Sequence, residues 1–190
     1  QDKIDLINRG MCPIYEPGLD EIIKRNIENG NLKATNDYNE ILDSDVVFIC
    51  VGTPSREDGS IDLSQVEEAS KGIGEKLKES NKYIVVTVKS TVVPRTTKNF
   101  VIPILEKYSG KKSGKDFGVG MNPEFLREGT GVNDFLYPDK IVIGGIDDRS
   151  KNILAELYKC LDEKYPRVST DVTTAEMIKY ASNAFLATKI

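Results

Sequence analysis

The run Asp45-Val46-Val47-Phe48-Ile49-Cys50-Val51 decides the fold of this chain. Its β-branched and aromatic residues follow one another without polar alternation, the pattern of a strand buried on both faces, and such strands belong to parallel sheets. The run breaks at Gly52-Thr53-Pro54. After a helical stretch from Leu63 to Leu77, with Asp62 or Ser60 placed to cap it, the pattern returns as Tyr83-Ile84-Val85-Val86-Thr87-Val88 and ends in Lys89-Ser90-Thr91. Two buried strands separated by a helix read as a βαβ unit.

Towards the N-terminus, Gly18 to Asn29 carries Leu19, Ile22, Ile23 and Ile27 at helical spacing. Leu32 to Thr35 reads as a short strand and Asp37 to Leu42 as a short helix, while Lys3 to Asn8 resembles the inside of another helix. Towards the C-terminus, Pro94 is suited to open a helix running to about Tyr108, since a first-turn proline loses no needed N–H. Phe117 to Gly120 and Ile141 to Gly144 are further strands, Ser150 to Leu161 is helical, and Val168 to Thr170 is a weak strand. A last helix starts at Thr173 and is still running at Ile190. The alternation predicts an α/β protein: a Rossmann-like, doubly wound parallel sheet with helices on both faces. Such a sheet opens with a strand, a GxGxxG loop and a second strand. No GxGxxG occurs here, so the chain is expected to lack the first β-α-β part, and to end at the start of a long central helix.

Composition narrows the function classes. The chain has 190 residues, 39% of them apolar, enough for a real core. A net charge of −4 gives no electrostatic footprint for nucleic acid. No apolar run approaches the ~18 residues of a membrane span, and the start is not a signal peptide. Cys12, Cys50 and Cys160 are scattered and odd in number, which points to reduced thiols in a cytoplasmic protein. Cys50, in a strand, and Cys160, near a helix end, are expected to be packing residues. With no histidine, metal ligation and His-based triads are not expected. Proton transfer falls to carboxylates, lysine, a thiol or water.

Three constellations can carry chemistry. The loops Gly52-Thr53-Pro54-Ser55 and Lys89-Ser90-Thr91-Val92 follow buried strands, where open α/β sheets bind ligands. Their hydroxyls can bond a ribose, a carboxamide or a water, or can simply cap the next helix. Lys179 and Asn183 lie four apart on one helix face, with Glu176 a turn before Lys179 and placed to orient it. Together they offer donors to a developing oxyanion; a solvated face is the alternative, though the surrounding Ala175, Ala181, Ala184, Phe185, Leu186 and Ala187 predict a mostly buried helix. Finally, Asn122-Pro123-Glu124-Phe125-Leu126-Arg127-Glu128-Gly129 sets Glu124 and Glu128 four apart, with Arg127 able to hold one of them ionised while the other accepts a proton. Pro13 to Leu19, with two prolines, reads as a rigid connector at least as readily as a functional segment.

In order and spacing, PIYEPGL (13–19), VGTP (51–54), KSTV (89–92), NPEFLREG (122–129), PDKIVIGG (138–145) and AEMIKYASNAFLATKI (175–190) resemble the UDP-glucose/GDP-mannose dehydrogenase family over essentially the whole chain. The resemblance implies an NAD-dependent enzyme that oxidises the C6 hydroxyl of a nucleotide sugar twice, through a cysteine thioester that water hydrolyses to the uronic acid. It implies an NAD-binding domain over 1–170 and, over 171–190, the start of a central, dimerisation helix leading to a further domain. By position, Glu124 serves thioester hydrolysis. Glu128 and Thr91 lie by the nicotinamide and the reaction water, and Thr53, Pro54 and Ser90 join them in holding the cofactor. Lys179 and Asn183 steady the C6 oxygen, and Phe125, Leu126, Arg127 and Glu128 contact the sugar along with Glu124. PDKIVIG is more similar to the UDP-glucose enzymes, so UDP-glucose is the expected substrate and a homodimer the expected assembly. The family's nucleophilic cysteine belongs to a glycine-rich motif beyond residue 190, so the chain alone is expected to be inactive.

Two other readings remain. β-Hydroxyacid and 6-phosphogluconate-type dehydrogenases also carry a Lys-x-x-x-Asn pair, but perform one oxidation and have no need of a hydrolytic glutamate. A non-catalytic dimerisation fragment would account for the apolar last helix.

Overall fold

The computed structural model describes residues 2–190. Along the chain the elements are α1 (Asp2–Asn8), α2 (Leu19–Glu28), β1 (Val46–Ile49), α3 (Ser64–Glu79), β2 (Val85–Val88), α4 (Ile102–Ser109), β3 (Gly118–Met121), α5 (Gly131–Leu136), β4 (Ile141–Gly145), α6 (Asp148–Leu157), β5 (Arg167–Thr170) and α7 (Val172–Lys189). They divide into two compact units, one formed by residues up to 37 with 125–139, the other by 38–124 with 140–190.

The larger unit is built on a sheet of order β1-β2-β3-β4-β5. Three of its pairings are parallel; β3 and β4 are antiparallel, which the alternation of elements did not foresee. The segment between them supplies residues 125–139 to the smaller unit and so gives no helical crossover, which a parallel pair requires. Both faces are covered. On one, Gly118 and Gly145 leave room for α6: an added Cβ would lie 2.6 Å from Ser150 Oγ at the first and 2.5 Å from Lys151 Cγ at the second. Leu154 and Tyr158 there close over Val85, Ile141 and Ile143. One residue along β4 the side chains reverse face, and Gly144 accepts Ala175 of α7 at a place where a Cβ would come within 2.7 Å. The doubly wound α/β architecture therefore stands.

Several local expectations are corrected. β1 is not buried on both faces: Phe48 and Cys50 are exposed and only Ile49 is buried. β1 pairs with β2 alone in this sheet, and a strand at an edge lacks the neighbour that would cover it. Cys160 is exposed as well, so neither it nor Cys50 is a packing residue. Leu32 to Thr35 forms no strand; Ala34 is instead tied to Asn8 by paired backbone and side-chain bonds of 2.8 and 2.9 Å. The stretch after Pro94 begins with a turn and a wider π-type coil over Thr97–Val101 before α4 proper. Asp62, one of the two residues proposed to cap α3, accepts the Ser64 N–H at 2.9 Å.

The smaller unit holds α1, α2 and α5. Pro13 to Leu19 does more than connect: Glu16 accepts the N–H groups of Gly129 (3.0 Å) and Gly131 (2.7 Å), which closes the start of α5. Among the described residues, no helix is long and apolar enough to cross a membrane.

Candidate active site

The carboxyl ends of β1 and β2 bring the two loops of the first constellation together. Ser90 is buried and its hydroxyl donates to the carbonyls of Val51 (2.6 Å) and Ile49 (3.2 Å). Thr53 donates to the Thr91 carbonyl at 2.8 Å. These hydroxyls therefore stitch the loop after β1 to the loop after β2 rather than cap a helix, and each keeps lone pairs that can accept. Gly52, which donates to Gln65 Oε1 at 3.2 Å, and Pro54 are exposed beside them.

Glu124 and Lys179 meet in the same unit. Lys179 Nζ is 2.9 Å from Glu124 Oε1, with the lysine side chain 7% exposed and the glutamate 33%. Glu124 leaves the end of β3 after Asn122 and Pro123, both buried, while Lys179 is carried by the buried face of α7. Asn183, one turn further along α7, is exposed. Glu176 does not orient Lys179. Its carboxylate, fully buried, accepts the backbone N–H groups of Arg95 (2.5 Å) and Thr97 (2.7 Å) at the start of the coil leading into α4. Burial pushes its pKa above the usual carboxylate range, against the pull of those hydrogen bonds. Arg95 is held at φ 79°, the left-handed region, which is uncommon for a residue with a Cβ.

The segment after Glu124 departs from expectation. Residues 122–127 form no helical turn, so Glu124 and Glu128 do not share a face. Arg127 pairs with neither. Its guanidinium forks onto Asp134 of α5, Nη2 to Oδ1 at 2.7 Å and Nε to Oδ2 at 3.1 Å, while its backbone N–H reaches Oδ2 at 2.9 Å. The Arg127 guanidinium holds the Asp134 carboxyl well below the usual range. Asp134 wins because it also accepts the Thr130 hydroxyl and fits the turn that opens α5. Phe125 is half-buried and Leu126, Arg127 and Glu128 are exposed, all in the smaller unit.

One residue beside the Glu124–Lys179 pair was not singled out in the sequence. Lys89, directly after β2, donates to the Asn122 side-chain oxygen at 2.9 Å and to the Asn122 carbonyl at 3.3 Å. Its ammonium also faces the Phe48 ring, 5.5 Å from the centroid. Burial lowers its pKa, while Cys50 and Glu124 raise it and the Lys179 charge lowers it further. The Lys-Ser-Thr wording at a strand end was the available signal; its partner Asn122 lies on a different strand end, 33 residues on.

A model of the UDP-glucose/GDP-mannose dehydrogenase family, NAD binding domain, matches residues 1–162. A UDP-glucose 6-dehydrogenase of Haloferax volcanii is 49% identical over 193 residues, covering 100% of this chain and 45% of that protein. A GDP-mannose 6-dehydrogenase of Pseudomonas aeruginosa is 47% identical over 189 residues, covering 99% of this chain and 43% of its own length. Among solved structures, a ternary complex of GDP-mannose dehydrogenase from P. aeruginosa superposes with a TM-score of 0.96 at 47% identity, covering 100% of this chain and 43% of that one. A UDP-glucose dehydrogenase from Pyrobaculum islandicum gives 0.93 at 40% identity, again over 100% of this chain and 43% of the other. The chain thus spans less than half the length of these relatives. Identities of 49% and 47% do not separate the UDP-glucose from the GDP-mannose members.

Proposed function

This chain belongs to the UDP-glucose/GDP-mannose dehydrogenase family, and from that premise we propose that it forms the cofactor side and one wall of the reaction site of a nucleotide-sugar 6-dehydrogenase. The carrying observation is the Glu124–Lys179 pair at the carboxyl ends of the strands. NAD is the cofactor of the domain that this chain matches. The residues present suit its nicotinamide end: the stitched loops offer Thr53, Pro54, Ser90 and Thr91, hydroxyls and carbonyls rather than a glycine-rich anion cradle. Bound there, NAD+ would accept a hydride from the sugar in each of two oxidations.

The chain's own groups then divide the remaining work. Each hydride loss from C6 requires the C6 oxygen to shed its proton, and Lys179 with Asn183 supplies donors where negative charge develops. The first oxidation gives an aldehyde, to which a thiol adds; the second gives a thioester. Water then attacks the thioester carbon, the C–S bond breaks, the thiolate leaves, and Glu124 takes the proton that the water releases. Glu128, with the backbone and side chains of Phe125, Leu126 and Arg127, is proposed to contact the sugar, Glu128 also approaching the nicotinamide. The thiol belongs to the family motif expected after residue 190.

UDP-glucose is the proposed substrate, from PDKIVIGG at 138–145, and a homodimer joined through α7 the proposed assembly. The test is the complete polypeptide assayed with NAD+ and either UDP-glucose or GDP-mannose. A higher kcat/KM for UDP-glucose is expected, and a preference for GDP-mannose overturns the substrate assignment. The 190-residue chain alone is expected to reduce no NAD+ with either sugar.

A further inference from the structure

We propose that Lys89, acting through Asn122 and backed by Tyr158, is a positioning residue that aims the Glu124 carboxylate at the reaction water. The proposal rests on Glu124 acting in the hydrolytic step.

Glu124 sits in irregular chain after β3, its carboxylate held from one side by Lys179 of α7. A carboxylate that must take a proton from one particular water needs its direction fixed, because small errors in placement cost rate steeply. The anchor lies two residues back. Asn122 is 1% exposed and every part of it is engaged. Its backbone N–H donates to the Val88 carbonyl at 2.9 Å, extending the β2–β3 ladder by one residue. Its side-chain amide donates to the Val142 carbonyl of β4 at 2.8 Å. Its side-chain oxygen accepts from Lys89 at 2.9 Å and also from the Tyr158 hydroxyl, just past the end of α6. Three strands and a helix end therefore converge on one asparagine, and Pro123 transmits that fixed point to Glu124 with its φ locked.

Lys89 is the member of this network whose charge matters. A neutral donor would satisfy Asn122 equally well, yet the sequence places an ammonium there, against the cost of partial burial. That ammonium binds both the side-chain oxygen and the carbonyl of Asn122, so it grips the peptide leading into Pro123-Glu124. The Phe48 ring backs it from the other side. Its charge acts on Glu124 together with that of Lys179, so two cations bear on the carboxylate, Lys179 paired with it directly and Lys89 bound to the Asn122 carbonyl two residues before it.

The experiment is single-turnover kinetics on the complete polypeptide with UDP-glucose and NAD+, separating the first hydride transfer from thioester hydrolysis, with intact-mass measurement of the covalent sugar adduct. Lys89→Met is expected to slow hydrolysis on the order of 100-fold, to leave the first hydride transfer within about threefold, and to let the adduct accumulate. Lys89→Arg, which keeps a cation and two donors in reach, should recover most of the loss. Tyr158→Phe, which removes only one donor, should give a smaller slowing of the same step. If Lys89→Met does not fold, Tyr158→Phe and Lys89→Arg carry the test. Hydrolysis within twofold of the parent in Lys89→Met, or in Tyr158→Phe should that be the variant available, overturns the proposal; so does equal slowing of both steps. Glu124→Gln run in parallel separates the two layers. If it leaves hydrolysis unchanged, the reading of Glu124 is wrong; if it slows hydrolysis while Lys89→Met does not, only the positioning role falls.

Discussion

The first half of α7 and the second share one helix and two opposite environments. Val172, Ala175, Glu176 and Lys179 are buried, two of them chargeable, while Phe185 is 68% exposed and Leu186 52%. Hydrophobicity alone would not place Glu176 and Lys179 inside and Phe185 and Leu186 outside. Glu176 stays buried because two backbone N–H groups need an acceptor at the strained entry to α4, and Lys179 because Glu124 meets it at 2.9 Å. The apolar residues of the second half have no counterpart of the sheet to cover them, which fits the proposal that another copy of the chain or a further domain does so. In this molecule polar partners, not apolar content, decide which half of the helix is held.

Four changes would break or sharpen that contrast. Glu176→Ala removes the acceptor from two backbone donors, and about 3–5 kcal/mol of stability should be lost, read by denaturant unfolding. Lys179→Met, which leaves the partly exposed Glu124 to rehydrate, should cost about 1–2 kcal/mol in the same measurement. Glu176→Gln keeps one acceptor and tests the electrostatics instead. Because the folded pKa of Glu176 is raised above its ordinary 4.5, the native state binds more protons than the unfolded one just above that value. The residue's contribution is therefore full below 4.5 and declines as pH rises through the folded pKa. The stability of Glu176→Gln relative to the parent should accordingly improve as pH rises through this window; a flat difference would show that Glu176 is not perturbed. Phe185→Ser with Leu186→Ser should change the stability of this chain by less than about 0.5 kcal/mol, and a larger loss would mean that the second half is packed after all.

How much was legible beforehand follows the same line. The strand at 83–88 and the order of strands and helices came from periodicity, which records burial; the last helix was expected to be mostly buried, yet beyond Lys179 it is largely exposed. What periodicity does not record is who a polar group meets. Arg127 finds Asp134 seven residues on, Glu176 finds backbone some eighty residues upstream, and Lys89 meets Asn122 only because β2 and β3 are neighbours. Phe48 and Cys50 misled for a related reason: a strand reads as covered on both faces whether or not its second neighbour is present. The antiparallel β3–β4 pair was hidden in a segment, 125–139, with no pattern of its own beyond a short α5 closed by Glu16.

The most direct measurement is the number of NADH molecules formed per sugar consumed by the complete polypeptide acting on UDP-glucose. A carboxylate set to assist hydrolysis beside a lysine set to steady an oxyanion predicts two. One NADH per sugar, with an aldehyde or ketone as the product, would contradict the account and leave Glu124 without a reaction to serve.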